Sequence, residues 1–341
     1  MALLAAGEAG HMNKQDLAKP VKAAIRPETP PSRLDEAARA GWLYYVAGNT
    51  QDQIAAKLGV SRQSAQRLVS LAVSEGLVRV RIDHPIAKCL DLGKQLRERF
   101  SLDHAEVVPS DPASQSSTLG IAEAAAAEIE RRLRSENPVI MGIGTGRTLK
   151  AAIEQLPPME CPQHKVVSLT GTIAPDGSAA FYNVVFTMSD RVKARSFPMP
   201  LPVIATSIEE KLMLHSQPMI HSTLELARRA DITFLGIGDL GPGAPLLVDG
   251  FVSDAELRAL QKAGAVAEIV GWAFDREGRL IDGLTNDRVA SAPIPSRETS
   301  LVIALAMGPR KYDGLFGALS RRLVNGVITD EATAGHLLAQ R

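Results

Sequence analysis

Residues suited to holding a small polar ligand gather where apolar runs break into glycine. Val139-Ile140-Met141 reads as a buried strand, Gly142-Ile143-Gly144-Thr145-Gly146 as the turn after it, and Arg147-Thr148-Leu149 as the opening of a helix. A glycine-rich turn at a helix N-terminus aims free backbone N–H groups and a positive dipole end at one point, where an anion or hydroxyl can sit. Gly144 and Gly146 let the backbone come close, Thr145 and Thr148 add hydroxyls, and Arg147 adds charge. Arg147 stands where a dinucleotide fingerprint needs its third glycine, and no Gly-Lys-Ser/Thr follows, so neither nucleotide motif applies. The same spacing also serves as a plain strand-to-helix turn. Three further tips repeat the chemistry: Thr170-Gly171-Thr172, Gly236-Ile237-Gly238-Asp239 and Gly308-Pro309-Arg310-Lys311. Together they suit a small polar ligand carrying an anionic group, with Arg147 and Lys311 supplying charge and Asp239 taking a hydroxyl.

These tips need strands and helices in alternation to hold them. Strands are expected at 105–108, 139–142, 165–169, 194–199, 232–236, 267–270, 300–306 and 327–328. Helices are expected at 118–133, 148–155, 181–193, 208–214, 219–229, 254–263 and 311–324. That alternation is the mark of an α/β domain with a mostly parallel, Rossmann-like doubly wound sheet covered on both faces. In such sheets ligands bind beyond the C-terminal strand ends, where all four tips fall. Gly271–Arg288 reads as a polar insertion between strands, with Asp287 and Arg288 as an ion pair or as ligand contacts. It lacks the ligand order of a calcium loop.

Ahead of this domain the periodicity changes. Residues 34–46 carry helical apolar spacing, Thr50 with Gln53 forms a capping box for a second helix at 51–58, and Gly59 makes a turn. Ser61 caps a third helix, 62–74, whose inward face is Ala65, Leu68, Val69 and Ala72. Residues 77–82 alternate apolar with basic, as in a β-wing. Helix, short helix, turn and capped third helix is the winged helix-turn-helix order. Arg62, Gln63, Ser64, Gln66 and Arg67 sit on the outward half of the third helix, where Arg and Gln can pair with guanine and adenine edges. Thr50 and Ser61 suit phosphate contacts, and Arg79 and Arg81 suit the neighbouring backbone. From Lys57 to Arg81 there are five basic residues against one acid, although the whole chain has zero formal charge. The basic footprint is therefore local to this module.

The 341 residues divide most naturally into a tail at 1–32, a DNA-binding domain at 33–87, a connector helix at 88–104 and a ligand-binding domain at 105–341. The connector is amphipathic, and its apolar side suits either a partner chain or the following domain. Cys89 and Cys161 are isolated and match a reducing cytoplasm. No apolar stretch reaches the ~20 residues of a membrane helix, and the first residues make no secretory signal. No cofactor and no metal site is implied.

The order of motifs resembles the SorC family of sugar-responsive bacterial transcription regulators over nearly the whole chain from about Leu34. The likeness rests on TQDQIAAKLGVSRQSAQRLV, GIGTGRTL, GWAFDREGRLIDGLTNDRV and GPRKYDGLFGALSRRLVNGVITDEATA. It implies a helix-turn-helix domain joined to a body similar to phosphosugar isomerases and deaminases, which binds a sugar, polyol or their phosphate without turnover. It also implies homodimers or homotetramers on operator DNA, with residues 145–148 as the effector cradle and Lys311 as the anionic contact. Two departures matter. Met307 replaces a glycine common in the family, and Thr170-Gly171-Thr172 replaces an asparagine–glycine–glycine turn found in members that answer to sugar phosphates. An unphosphorylated polyol or sugar is thus a further reading of the effector, with the polyol-responsive subgroup the nearest.

The competing reading is an isomerase or deaminase carrying a DNA-binding module. It needs a general base in the pocket, and the seven histidines (His11, His84, His104, His164, His215, His221 and His336) lie mostly away from the tips. His215 and His221 flank Met219 on a helical connection, which leaves Asp239 as the available base. A nicotinamide enzyme fails on the missing third glycine and on the missing ribose-binding acid.

Overall fold

A computed structural model describes residues 32–78, 86–111, 118–174, 176–179 and 184–340. The chain divides at Ile82–Asp83 into two compact units. The expected tail at 1–32 apart from Ser32, the wing from 79 onward with Arg79 and Arg81, and the start of the helix expected at 181 lie outside the described residues.

The first unit holds α1 (Arg33–Tyr45), α2 (Gln51–Leu58) and α3 (Arg62–Ser74). Each start is fixed by its own side-chain cap: Ser32 with Asp35, Thr50 with Gln53, and Ser61 accepting from the Ser64 amide. Gly59 turns the chain between α2 and α3 at φ 67°, a left-handed conformation that glycine adopts without strain. Ala65, Leu68, Val69 and Ala72 of α3 pack with Ala37, Ala40, Ile54 and Ala55, and half-buried Val60 and Val78 close on the same cluster.

The second unit is built on one parallel sheet. Its strands are β1 (His104–Val108), β2 (Ile140–Ile143), β3 (Lys165–Ser168), β4 (Arg195–Phe197), β5 (Ile232–Gly236), β9 (Leu301–Leu305) and β10 (Gly326–Asp330). A smaller sheet holds β6 (Gly238–Asp239), β7 (Ala265–Ile269) and β8 (Trp272–Asp275). The helices are α4 (Ala87–Phe100), α5 (Leu119–Leu133), α6 (Arg147–Glu154), α7 (Val185–Val192), α8 (Ile208–Ser216), α9 (Pro218–Arg228), α10 (Pro245–Val248), α11 (Asp254–Lys262), α12 (Tyr312–Ser320) and α13 (Glu331–Ala339). The large sheet runs β1-β10-β9-β5-β2-β3-β4, every pair parallel. From β2 the chain winds outward to β3 and β4. It then returns to β5 on the other side of β2 and continues to β9 and β10, so the strand order reverses between β2 and β5.

Both faces of this sheet are covered, which is why its strands are apolar without alternation. Along β9, Val302 and Ala304 pack into one core with residues of α4, α9, α12 and α13, while Ile303 and Leu305 enter a second core with α5, α6 and α7. Helix α4, whose packing partner the sequence leaves open, buries Cys89, Leu96 and Phe100 in the first of these cores.

Three expectations change. The strand at 267–270 does not join the parallel sheet; β7 pairs antiparallel with both β6 and β8. The large sheet has no place for it, because β5 is already flanked by β2 and β9. The polar insertion at 271–288 begins as strand β8, reached from β7 through a two-residue turn in which Val270 and Gly271 have φ 47° and 94°. Both central residues at positive φ is the type I′ hairpin geometry. The Asp287–Arg288 pair is absent too: Arg288 pairs with Glu256 of α11 and donates to the Ala205 carbonyl at 2.6 Å.

Candidate functional site

The reversal of strand order between β2 and β5 leaves the loops after these neighbouring strands to diverge, which opens a crevice at their C-terminal ends. A cavity of about 810 Å³ lies there. All four glycine-rich tips reach it. Gly144, Thr145, Gly146, Arg147 and Thr148 come from the end of β2 and the start of α6, Thr170 and Gly171 from beyond β3, Gly236–Asp239 from β5 and β6, and Gly308–Lys311 from beyond β9. Gly146 sits at the helix N-terminus with φ 127°, a conformation that side-chain-bearing residues rarely adopt, and makes no side-chain cap hydrogen bond. As a glycine it brings no capping side chain of its own to the first-turn N–H groups of α6, which an incoming acceptor can meet.

Of the ten residues expected to bind an effector, Thr172 alone does not line the cavity. Its hydroxyl donates to the Met199 carbonyl at 2.9 Å, which ties this turn to the segment after β4. Gly171 is held just as tightly, because a Cβ there would fall 2.4 Å from the Leu201 carbonyl oxygen. Thr170 faces the cavity, is 4% exposed, and its Oγ1 has no hydrogen-bond partner among the described residues.

Asp239 is bound on both oxygens. Its Oδ1 accepts from an Arg310 guanidinium nitrogen at 2.6 Å and its Oδ2 from Lys311 Nζ at 3.0 Å. Burial pushes this carboxyl up, but the hydrogen bonds and charges of Lys311 and Arg310 outweigh it and hold the group below the ordinary carboxylate range. Asp239 is thus a poor general base.

Two further carboxyls line the cavity and were not anticipated. Glu268 lies over Gly238, where a Cβ would fall 1.7 Å from its Oε1, and its Oε2 accepts the Gly271 amide at 2.7 Å. Burial raises its pKa, with the Gly271 hydrogen bond and Lys311 opposing. Asp249, after α10, is likewise raised by burial and opposed by the charge of Arg147. The alternation in β7 was the available signal for Glu268, since Ala265, Ala267 and Ile269 face a core and Glu268 the other way. Asp249 had none, as it follows a four-residue helix. None of the described histidines lines the cavity; His215, for one, contacts the Ala290 carbonyl.

In the first unit, Arg62, Gln63, Gln66 and Arg67 are exposed along one side of α3, opposite its buried face. Ser64 is half-buried, with its hydroxyl bonded to Ser61 Oγ at 2.9 Å. Thr50 and Ser61 are exposed at the N-termini of α2 and α3. Arg62 lies 3.4 Å from Asp52 with both side chains mostly in solvent, so little holds it there against a competing phosphate.

A crevice of glycine turns, hydroxyls and balanced charges suits a small polar metabolite. Comparison with known proteins agrees. Residues 84–339 match the family model described as "Putative sugar-binding domain". The erythritol catabolism regulatory protein EryD of Brucella abortus is 31% identical over 304 residues, covering 89% of this chain and 96% of that protein. The deoxyribonucleoside regulator of Bacillus subtilis is 28% identical over 312 residues, covering 89% and 96%. Among solved structures, the full-length sorbitol operon regulator SorC from Klebsiella pneumoniae superposes with a TM-score of 0.68 at 25% identity, covering 89% of this chain and 97% of that one. The chain belongs to the SorC family of sugar-responsive transcriptional regulators. Its relatives are regulators, and the isomerase or deaminase alternative is set aside on that ground. Among the described residues no helix is long and apolar enough to cross a membrane.

Proposed function

We propose that this protein is a cytoplasmic, homo-oligomeric regulator that holds operator DNA through α3 and a wing and releases or tightens that hold when a polyol, a sugar or one of their phosphates enters the strand-end cavity of an isomerase-like body. The observation that carries the effector half is the convergence of four polar tips on one cavity at the reversal of strand order. Gly144–Thr148 would cradle one end of the effector, and Thr170, Gly171, Asp239 and Lys311 would meet its hydroxyls. The DNA half is supported by Arg62, Gln63, Gln66 and Arg67, which are exposed on the helix after a capped turn. Thr50, Ser61 and Ser64 would add phosphate contacts.

The link between the halves is thermodynamic. The effector must bind one arrangement of the paired chains more tightly than the other. Only recognition helices spaced to match the operator half-sites then bind well. The names of the relatives place erythritol and sorbitol among the first effectors to try. A thermal-shift screen of tetritols, pentitols, hexitols and their monophosphates tests the reading, because a ligand of the native state raises its melting temperature by mass action. A hit whose shift disappears in Thr148→Val supports the cavity; a hit unaffected by that change places the effector elsewhere.

A further inference from the structure

Asp239 pairs with Arg310 and Lys311, two of the cations that line the cavity. Building on the effector site proposed above, we propose that Asp239 is a selectivity residue which withholds these two cations from anionic ligands and sets the cavity for an uncharged polyhydroxy effector. The charges support this. The cavity is lined by Arg147, Arg310 and Lys311 against Asp239, Asp249 and Glu268, three cations facing three carboxyls. Both oxygens of Asp239 are taken, one by Arg310 at 2.6 Å and the other by Lys311 at 3.0 Å. Arg310 is anchored a second time, by the Pro242 carbonyl at 2.7 Å.

A phosphate dianion entering here would have to displace a carboxylate from its partners or share them at close range, and like charges so near each other repel. It would also have nothing to give the Asp239 carboxylate, since a phosphate dianion only accepts hydrogen bonds. A hydroxyl suits such a wall because it donates to a carboxylate while accepting from a backbone N–H or a guanidinium. Arg147, at the N-terminus of α6, is the remaining cavity cation, and Asp249 opposes it.

The test is direct binding to the full-length protein. Titration calorimetry with erythritol, ribitol and sorbitol, each beside its monophosphate, and with inorganic phosphate, is run on the wild type and on Asp239→Asn. That change keeps the shape and removes the charge. The wild type is expected to bind at least one free polyol at least tenfold more tightly than its monophosphate. In Asp239→Asn that ratio should fall at least tenfold, with inorganic phosphate gaining measurable affinity. Tighter binding of the monophosphate by the wild type overturns the proposal, as does an unchanged ratio in a folded Asp239→Asn. If that variant does not fold, the wild-type ratio alone decides. Failure of the cavity reading looks different: no compound in the panel binds, or binding is indifferent to Thr148→Val.

Discussion

Replacing Thr170 by valine exchanges a hydroxyl for a methyl group of nearly the same shape, and the account predicts effects of opposite sign with and without effector. Thr170 is 4% exposed, and its Oγ1 finds no partner among the described residues. A buried hydroxyl without a hydrogen bond costs about 1–3 kcal/mol relative to solvent. Taking the lower end, because the new methyl must share the space with Gly171 and the β3 terminus, the ligand-free protein should gain about 1 kcal/mol. In a unit of this size that corresponds to a rise of about 2–4 °C in melting temperature. With effector the sign reverses. If Thr170 hydrogen-bonds the ligand, losing that bond costs about 0.5–1.5 kcal/mol, a two- to tenfold loss of affinity. Thermal unfolding without ligand, then titration with the polyol that binds the wild type, reads both terms. A fall of several degrees in the ligand-free variant would show that the hydroxyl is already satisfied, and unchanged affinity would remove Thr170 from the effector site.

Three other perturbations check separate parts of the structure. Gly171→Ala would place a Cβ 2.4–2.5 Å from the backbone of Leu201 and Pro202; overpacking against main chain should cost about 3 kcal/mol, and a melting temperature within 2 °C of wild type would contradict the packing. Glu268 has a raised native pKa, so the folded state binds more protons than the unfolded chain above about pH 4.3 and wild-type stability is lost as pH rises through that window. Urea midpoints should therefore show Glu268→Gln gaining on wild type from pH 4 to pH 7, and the reverse trend would mean the carboxylate is favoured by the fold. Arg67→Ala, on the exposed side of α3, should weaken operator binding by about 1–3 kcal/mol while effector affinity stays within twofold; parallel loss of both would place Arg67 outside a DNA-reading face.

Much of this was legible in the sequence because it is local. Caps at Thr50 and Ser61, the Gly59 turn, and strands ending in glycine all write their signals within a few residues. What escaped is non-local or carried by unusual turn chemistry. The pairing of Asp239 with Arg310 and Lys311 joins positions about seventy residues apart, and only the sheet order brings the β5 and β9 tips together. The β7–β8 hairpin turns through Val270-Gly271, where a β-branched residue stands at φ 47° in place of the asparagine or aspartate that announces such a turn. Strain of about 1–3 kcal/mol is expected at a residue held this way, and Val270 lines the cavity. Thr172 looked equivalent to Thr170, yet its hydroxyl turns to the Met199 carbonyl while Thr170 faces the cavity.

The most direct measurement of the whole account is operator affinity of the full-length protein, followed by fluorescence anisotropy with and without saturating polyol, in wild type and in the Thr148→Val, Lys311→Met double variant. The account predicts that polyol shifts wild-type affinity by roughly 5–150-fold, the usual span of coupling between two sites, and that the double variant binds the same DNA normally but no longer responds. Loss of DNA binding in that variant without polyol, or an undiminished polyol response, would contradict it.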